Sequence, residues 1–167
     1  MSKRPWGYQP RAERPEPDWK LNPQTQSIRA GLARSGFGET SEALYLSSGF
    51  TYSSAEEAAS SFADETDHFL YSRFANPTIQ MFEKRMAALE GAESCMGTGS
   101  GMSAMFAAIA CLVSNGDKIV ASASMFSSCY VVLMEILPKW GITTELVEGN
   151  DRAKWEAAIT KATKVVF

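Results

Sequence analysis

From residue 93 onward, short runs of β-type residues alternate with longer helical patterns. The predicted strands are residues 93–97, 118–122, 142–147 and 164–167, and the predicted helices between them are residues 102–113, 126–137 and 151–160. Strands that alternate with helices in this way form parallel sheets with right-handed crossovers. The sequence therefore predicts an α/β fold with a mainly parallel sheet.

The residues before this region predict a different organisation. Residues 1–20 are polar, contain four prolines and carry both charge signs, so we expect a mobile N-terminus. Residues 21–75 are rich in Ser, Thr and Gly, and we expect an arm with short helices near residues 25–35 and 54–63. Residues 76–167 contain the alternating pattern and form the predicted α/β domain.

Capping signals mark the helices of the first half of the chain. Ser54 and Glu57 predict a capping box at the start of the helix 54–63. Asn76, which is followed by proline, predicts the start of a longer helix. Gly91 is expected to end that helix.

Composition excludes several classes of protein. Lys and Arg number 16 and Asp and Glu number 19, so the net charge of −3 argues against a sequence-wide binder of nucleic acid or anionic membranes. No apolar run approaches the ~20 residues of a membrane span. The first ten residues contain no apolar signal-peptide core, so we expect a cytoplasmic location. One histidine and three widely spaced cysteines without a CxxC pair exclude His-rich metal sites and zinc ribbons, and no metal site is predicted.

The last residues, KATKVVF, lie within a predicted strand. A domain rarely ends inside a strand with its apolar residues unpaired. We therefore expect the 167 residues to be the front part of a longer polypeptide.

A glycine-rich turn at residues 97–101 connects a predicted strand to an apolar helix. Free backbone N–H groups at a helix start, together with glycines, are typical of a phosphate site. The turn lacks the residues of the GxGxxG, P-loop and GxSxG motifs. Close packing of the helix on the strand is the alternative explanation.

Two further sites contain residues suited to a phosphorylated, planar ligand. Tyr71 and Arg73 lie two apart in a predicted extended segment, so they point to the same side and could bind a phosphate. A surface arginine beside a half-buried tyrosine is the alternative. Phe126 follows the predicted strand 118–122, where an aromatic ring could stack on a ligand or instead belong to the core.

The segments YSRFANPT (71–78), GSGMSAM (99–105) and GDKIVASASMFSS (116–128) together resemble the Cys/Met-metabolism, or trans-sulfuration, family of pyridoxal-phosphate enzymes. Within that family, FGETSEAL (37–44), SSGFTY (47–52) and Phe126 look most like the O-succinylhomoserine sulfhydrylases. The resemblance implies an N-terminal arm that contributes to a neighbouring subunit. It also implies the first half of a type I, aspartate-aminotransferase-like domain with helices on both faces of its sheet.

The resemblance assigns a role to each matching residue. Tyr71 and Arg73 would bind the phosphate of pyridoxal 5'-phosphate across a subunit boundary. Gly101 and Met102 would donate backbone N–H groups to the phosphate of their own site, and Ser100 would shape the turn. Phe126 would stack on the pyridine ring, where most members of the family have tyrosine.

The resemblance also implies a reaction, which is the sulfhydrylation of O-succinyl-L-homoserine to L-homocysteine and succinate in methionine biosynthesis. Small-molecule substrates and a homotetramer with shared active sites are expected, and nucleic acid and membranes are not. The alternatives are an O-acetylhomoserine sulfhydrylase, a cystathionine γ-synthase, and a methionine or cystathionine γ-lyase. The family's Schiff-base lysine is expected beyond Phe167, so a fourth alternative is an inactive fragment or assembly module.

Overall fold

Three parallel strands form the centre of the second half of the chain in a computed structural model that describes residues 21–167. The strands are β1 (Lys118–Ser122), β2 (Thr143–Val147) and β3 (Thr163–Val166), in the spatial order β2-β1-β3. Both neighbours of β1 are parallel to it. The predicted parallel sheet is therefore confirmed, with β1 as its central strand.

Six α-helices accompany these strands in the described part of the chain. They are α1 (Pro23–Arg29), α2 (Ala55–Phe62), α3 (Pro77–Glu90), α4 (Gly101–Ala110), α5 (Ser127–Val131) and α6 (Arg152–Ala158). Helix α5 continues into a π-helical turn (Val132–Ile136) and a 3-10 turn (Leu137–Trp140). Helices thus lie between successive strands, which is the arrangement that the sequence predicts.

The core lies on both faces of β1, because side chains along a strand point alternately to opposite sides. Ile119 and Ala121 pack with Leu133 and with apolar residues of α4. Val120 points to the other face, where it packs with Ala158 of α6. A strand that is covered on both faces becomes fully buried, and Ile119, Val120 and Ala121 are 0% exposed. The α/β architecture with helices on both faces is confirmed.

The predicted helix boundaries hold where the capping signal is local. Asn76 caps α3 by accepting a hydrogen bond from the Thr78 N–H at 2.8 Å, and Gly91 ends the helix with a φ of +65°. Ser54 caps α2 by accepting from the Glu57 N–H at 3.1 Å. The reciprocal bond of this box is shifted by one residue, because the Glu57 carboxylate accepts from the Ser53 N–H.

Two predicted elements at the ends of helices are wrong. Residues 93–97 form no strand in the structure, because the Gly97 N–H donates to the Glu83 carboxylate on α3 instead of to a neighbouring strand. The helix predicted near residues 25–35 ends at Arg29, because Ala30 adopts an extended conformation and Gly31 has a φ of +70°.

The helical segment after β1 extends beyond its predicted bounds of 126–137, although the next residue is Pro138 and a proline usually ends a helix. The Leu137 N–H bonds to the Val132 carbonyl, five residues earlier, which widens the helix before the proline. A wider turn accommodates a residue that has no N–H and whose ring would clash with an α-helical carbonyl. Pro138 lies inside the following 3-10 turn, and the segment ends at Gly141 with a φ of +74°.

An apolar run such as residues 102–113 is typical of a helix that is buried on most sides, but α4 is not buried in this way. Ile109 is the buried residue of α4, and Met102, Met105 and Phe106 pack partly against the sheet core. The side of α4 away from the sheet consists of small residues, mainly alanine, and it is exposed. Alanines lengthen the apolar run in the sequence while adding little apolar area, so the run overstated the burial.

The chain forms two compact units, and the boundary between them in the sequence follows Gly97. In the first unit α1 lies against α3, where the Arg85 Nε donates to the Ala30 carbonyl at 3.0 Å and the guanidinium pairs with Glu42. Residues 76–97 belong to this unit rather than to the second, which comprises Thr98–Phe167. The predicted mobile residues 1–20 lie outside the described residues, and the arm function of residues 21–75 stays a prediction.

Candidate cofactor-phosphate site

The glycine-rich turn leads directly into α4, as the sequence predicts. Ser100 has an extended backbone and caps the helix, because its Oγ accepts from the Ser103 N–H at 3.1 Å. Thr98 fixes the approach to the helix by donating its hydroxyl to the Ser100 carbonyl at 2.8 Å. The two side chains therefore hold the turn open without covering the start of the helix.

The first two N–H groups of α4 are available to an anion. Across residues 21–167, no acceptor is paired with the N–H of Gly101 or of Met102, as is usual in the first turn of a helix. A Cβ built on Gly99 or Gly101 would meet nothing within 4 Å, so the backbone faces open space. Free N–H groups and the helix dipole together favour a phosphate at this position.

Tyr71 and Arg73 lie in a turn and not in the extended segment that was predicted. The Tyr71 carbonyl accepts from the N–H groups of Phe74 and Ala75 at 2.9 and 3.1 Å, and this closes the turn. Tyr71 also pairs with Gly49 in a single antiparallel bridge. The extended conformation ends at Tyr71 because these hydrogen bonds curl the chain immediately afterwards.

The turn nevertheless brings the two predicted side chains together. The guanidinium carbon of Arg73 lies 5.7 Å from the centroid of the Tyr71 ring and 4.9 Å from that of Phe74. The two rings pack edge to face, with their centroids 6.5 Å apart. A guanidinium that stacks on rings keeps its N–H edge for a planar or anionic ligand, so the pair is suited to a phosphate.

Phe126 occupies the position expected from the sequence, between β1 and α5. It is the residue before the first turn of α5, and its carbonyl accepts from the N–H groups of Cys129 and Tyr130. Its side chain is 68% exposed, which excludes the alternative of a core phenylalanine within this chain. An exposed ring at the carboxyl end of a central parallel strand is positioned to stack on a ligand.

Sequence reasoning missed two residues that shape these sites and a second role of Asn76. Phe74 completes the ring cluster around Arg73, and Glu83 anchors the Gly97 N–H at 2.7 Å, just before the glycine-rich turn. Asn76 contacts the Tyr71–Phe74 turn through its amide, in addition to capping α3. The sequence contained one signal for Glu83, which is a carboxylate that lies off the apolar stripe of α3.

The structure also bears on other classes of site. Within residues 21–167, no group of three or more His, Cys, Asp or Glu side chains is arranged to hold a metal ion. No helix in the same part of the chain has the length and apolar character needed to cross a membrane.

Known proteins are similar to this chain in sequence and in fold. The O-succinylhomoserine sulfhydrylase of Mycobacterium tuberculosis is 49% identical over 143 residues, which cover 86% of this chain and 35% of the relative. The enzyme of the same name from Pseudomonas aeruginosa is 41% identical, with 86% and 36% covered. The chain thus spans about a third of the length of the curated relatives that it matches.

A solved structure extends the comparison to the fold. A Campylobacter jejuni protein described as an O-acetylhomoserine (thiol)-lyase, which contains N'-pyridoxyl-lysine-5'-monophosphate, superposes with a TM-score of 0.81 and 25% identity. The match covers 89% of this chain and 37% of that one. In addition, residues 24–167 match the profile of the family described as Cys/Met metabolism PLP-dependent enzyme. The chain therefore belongs to the Cys/Met-metabolism family of pyridoxal-phosphate-dependent enzymes.

Proposed function

We propose that the start of α4 and the Tyr71–Phe74 turn hold the phosphate of pyridoxal phosphate. Gly101 and Met102 would donate their unpaired N–H groups at the helix start, while Ser100 maintains the turn. Tyr71 and Arg73 would add a phenolic hydroxyl and a guanidinium to the site of a neighbouring subunit. The donor set supports this assignment, because a dianionic phosphate needs several N–H and O–H donors and a positive charge.

We also propose that Phe126 stacks on the cofactor ring. Its exposed side chain has the area that stacking requires, and phenylalanine has no hydroxyl. Phe126 would therefore orient the ring without moving a proton. When bound, the cofactor supplies an electron sink, and the task of these residues is to fix it so that the substrate carbon faces the ring.

The reaction we propose is γ-replacement on O-succinyl-L-homoserine. The bond between Cγ and the ester oxygen breaks, succinate leaves with the electron pair, and a C–S bond forms between Cγ and sulfide to give L-homocysteine. The identities of 49% and 41% to two O-succinylhomoserine sulfhydrylases carry this proposal. The proposal places the reaction in the cytoplasm, where thiols are kept reduced.

Full-length protein incubated with O-succinyl-L-homoserine and sulfide tests the reaction. We expect equimolar L-homocysteine and succinate, and an absorbance band from bound pyridoxal phosphate. A clear preference for O-acetylhomoserine, or for cysteine over sulfide, would replace the proposal by one of the related transferases. Release of 2-oxobutyrate and ammonia would identify a γ-lyase, and the absence of both cofactor and product would leave a non-catalytic chain.

The shared active site has its own test. We propose a homotetramer built from dimers, in which Arg73 serves the neighbouring protomer. An Arg73→Ala variant should be mixed with a variant that is inactive at the Schiff-base lysine of the full-length protein. Hybrid oligomers should regain part of the activity, because one of their two sites has both groups intact. Unchanged, near-zero activity after subunit exchange would place Arg73 in the site of its own protomer.

A further inference from the structure

Asn76 is a buried polar side chain that makes three hydrogen bonds. It is 6% exposed, and its Oδ1 accepts from the Thr78 N–H at 2.8 Å as the cap of α3. Capping needs only this oxygen. The amide nitrogen is therefore free for a second task, and the structure shows which partners it contacts.

The Nδ2 of Asn76 donates two hydrogen bonds to two different segments. One goes to the Ser72 Oγ at 2.9 Å, and the other goes to the Tyr45 carbonyl at 3.0 Å. Ser72 lies between Tyr71 and Arg73, the two residues that we assign to the phosphate. A single buried amide thus connects the start of α3 to the middle of the Tyr71–Phe74 turn, which is the proposed phosphate-binding turn.

Other bonds hold the same junction from the opposite side. The Ser72 N–H donates to the Ser48 carbonyl at 2.9 Å, and the Ser72 hydroxyl donates to the Ser47 carbonyl. The Tyr45 N–H donates to the Thr78 Oγ1 at 2.9 Å. The turn is consequently fixed between the arm and α3, and Asn76 is the residue that bonds to both.

We infer that Asn76 is a positioning residue for the Tyr71 and Arg73 pair, and this inference rests on the proposed function. Its amide holds Ser72, so the side chains on either side of Ser72 keep the orientation that a phosphate requires. Removing the two donors while keeping the cap would loosen the turn, which then depends on the Ser72 bonds to Ser47 and Ser48, and would leave the cap of α3 in place. Asn76→Asp makes this separation, because aspartate caps helices as well as asparagine does but lacks the amide donors.

The chain contains a matched control for that substitution. Asn22 is also followed by proline, and its Oδ1 caps α1 by accepting from the Thr25 N–H at 2.9 Å. Unlike Asn76, it is exposed, and no acceptor for its amide nitrogen occurs among the described residues. Asn22→Asp therefore makes the same chemical change at the same kind of cap without touching the phosphate-binding turn.

The experiment measures the dissociation constant of pyridoxal phosphate for full-length apoprotein carrying each substitution. Asn76→Asp should weaken binding about tenfold, a change close to the net contribution of roughly one hydrogen bond. Asn22→Asp should stay within about twofold of the wild type. Equal effects of the two substitutions would overturn the inference.

A double-mutant cycle separates positioning from general destabilisation. If Asn76 acts through Arg73, then Asn76→Asp should weaken binding by less than about threefold in an Arg73→Ala background. A full tenfold effect in that background would overturn the inference. Should Asn76→Asp fail to fold, Ser72→Ala removes the acceptor of the Asn76 amide together with the hydroxyl bond to Ser47, and it enters the same cycle with the same two outcomes.

The wild-type measurement keeps the two proposals apart. Wild-type protein that does not bind pyridoxal phosphate would overturn the proposed function and this inference with it. Wild-type protein that binds the cofactor, with Asn76→Asp indistinguishable from Asn22→Asp, would overturn the positioning role alone.

Discussion

The guanidinium carbon of Arg73 lies closer to the ring centroid of Phe74, at 4.9 Å, than to that of Tyr71, at 5.7 Å. Phe74 is 71% exposed, so burial does not account for its position in the turn. The Phe74 ring instead contacts the Arg73 guanidinium through a cation–π interaction. Arg73 thereby keeps a defined direction although it lies at the surface.

Replacement of that ring should weaken cofactor binding. Phe74→Leu removes a cation–π contact worth roughly 0.5–1 kcal/mol at an exposed site, so we expect pyridoxal phosphate to bind about two- to fivefold more weakly. Equilibrium titration of the full-length apoprotein measures this. The control is Phe82→Leu, at an exposed phenylalanine of α3, and it should leave the dissociation constant unchanged. Equal effects at the two positions would rule out a specific role for Phe74.

Two substitutions of Phe126 should differ in their effect on cofactor binding. Phe126→Ala removes the stacking ring, and we expect cofactor binding to weaken about three- to tenfold. Phe126→Tyr keeps the ring, and its added hydroxyl reaches solvent because the side chain is exposed, so binding should stay within about twofold. The same titration measures both variants. Normal binding by Phe126→Ala would exclude the stacking role.

Truncation of a buried leucine that packs with Ile119 and Ala121 should strongly lower the free energy of unfolding. Leu133 is 0% exposed and packs against β1, so Leu133→Ala should lower the free energy of unfolding by about 2–5 kcal/mol. Leu112 is 61% exposed, and Leu112→Ala should change it by less than about 0.5 kcal/mol. Chemical denaturation of the full-length protein provides the comparison. Similar losses for the two leucines would contradict the core described here.

Alanine substitution of two glycines with left-handed backbones should distinguish the stability cost of backbone strain from that of a steric clash. Gly31 has a φ of +70°, and an added Cβ would lie 2.7 Å from the Lys84 Cβ and 2.8 Å from the Met81 carbonyl oxygen. Gly91 has a φ of +65°, but a Cβ there would meet nothing within 4 Å. Alanine at either position costs about 1–2 kcal/mol of backbone strain, so Gly31→Ala should destabilise clearly more than Gly91→Ala. Denaturation midpoints test the order.

The cap of α2 should be sensitive to acid. Hydrogen bonds from Ser53, first from its side chain and then from its backbone, lower the pKa of Glu57 below its ordinary value. A carboxylate whose pKa is lower in the folded state stabilises that state above its unfolded pKa. This contribution decreases as the pH falls through the ordinary glutamate range, and it is lost below the lowered pKa of the folded state.

Ser53→Ala tests this prediction, because it removes the hydroxyl and keeps the N–H. A carbon-detected pH titration of the Glu57 carboxyl should show its pKa moving back toward the ordinary glutamate value in that variant. An unchanged titration curve would show that the Ser53 hydroxyl does not hold the carboxylate. The Glu56 carboxyl in the same spectrum serves as an internal reference.

Local signals predicted much of the fold. The strand Lys118–Ser122 was predicted at its observed bounds, because its apolar run is short and a turn ends it. The start of α3 at Asn76 and its end at Gly91 depend on side chains within one helical turn. The glycine-rich turn 97–101 was likewise predicted to lead into a helix, and the observed helix begins at Gly101, one residue before its predicted start at Met102.

The features that the sequence misjudged depend on partners far along the chain. Residues 93–97 have strand-like composition, but Glu83 takes the hydrogen bond of Gly97. The Tyr71–Phe74 turn is held by Ser48 and Asn76, which the local pattern around Tyr71 does not indicate. Asn22 and Asn76 have the same Asn-Pro signature, and tertiary contacts make one a simple cap and the other a buried junction.

The strand order β2-β1-β3 has a consequence for synthesis on the ribosome. The central strand emerges first, and each of its two edges remains open until a later segment of the nascent chain arrives. Ile119, Val120 and Ala121, which are completely covered in the finished fold, therefore lack their neighbouring strands in the growing polypeptide until β2 and β3 have emerged. Unpaired apolar strands of this kind are aggregation-prone, so β1 is expected to be a site of chaperone binding during translation.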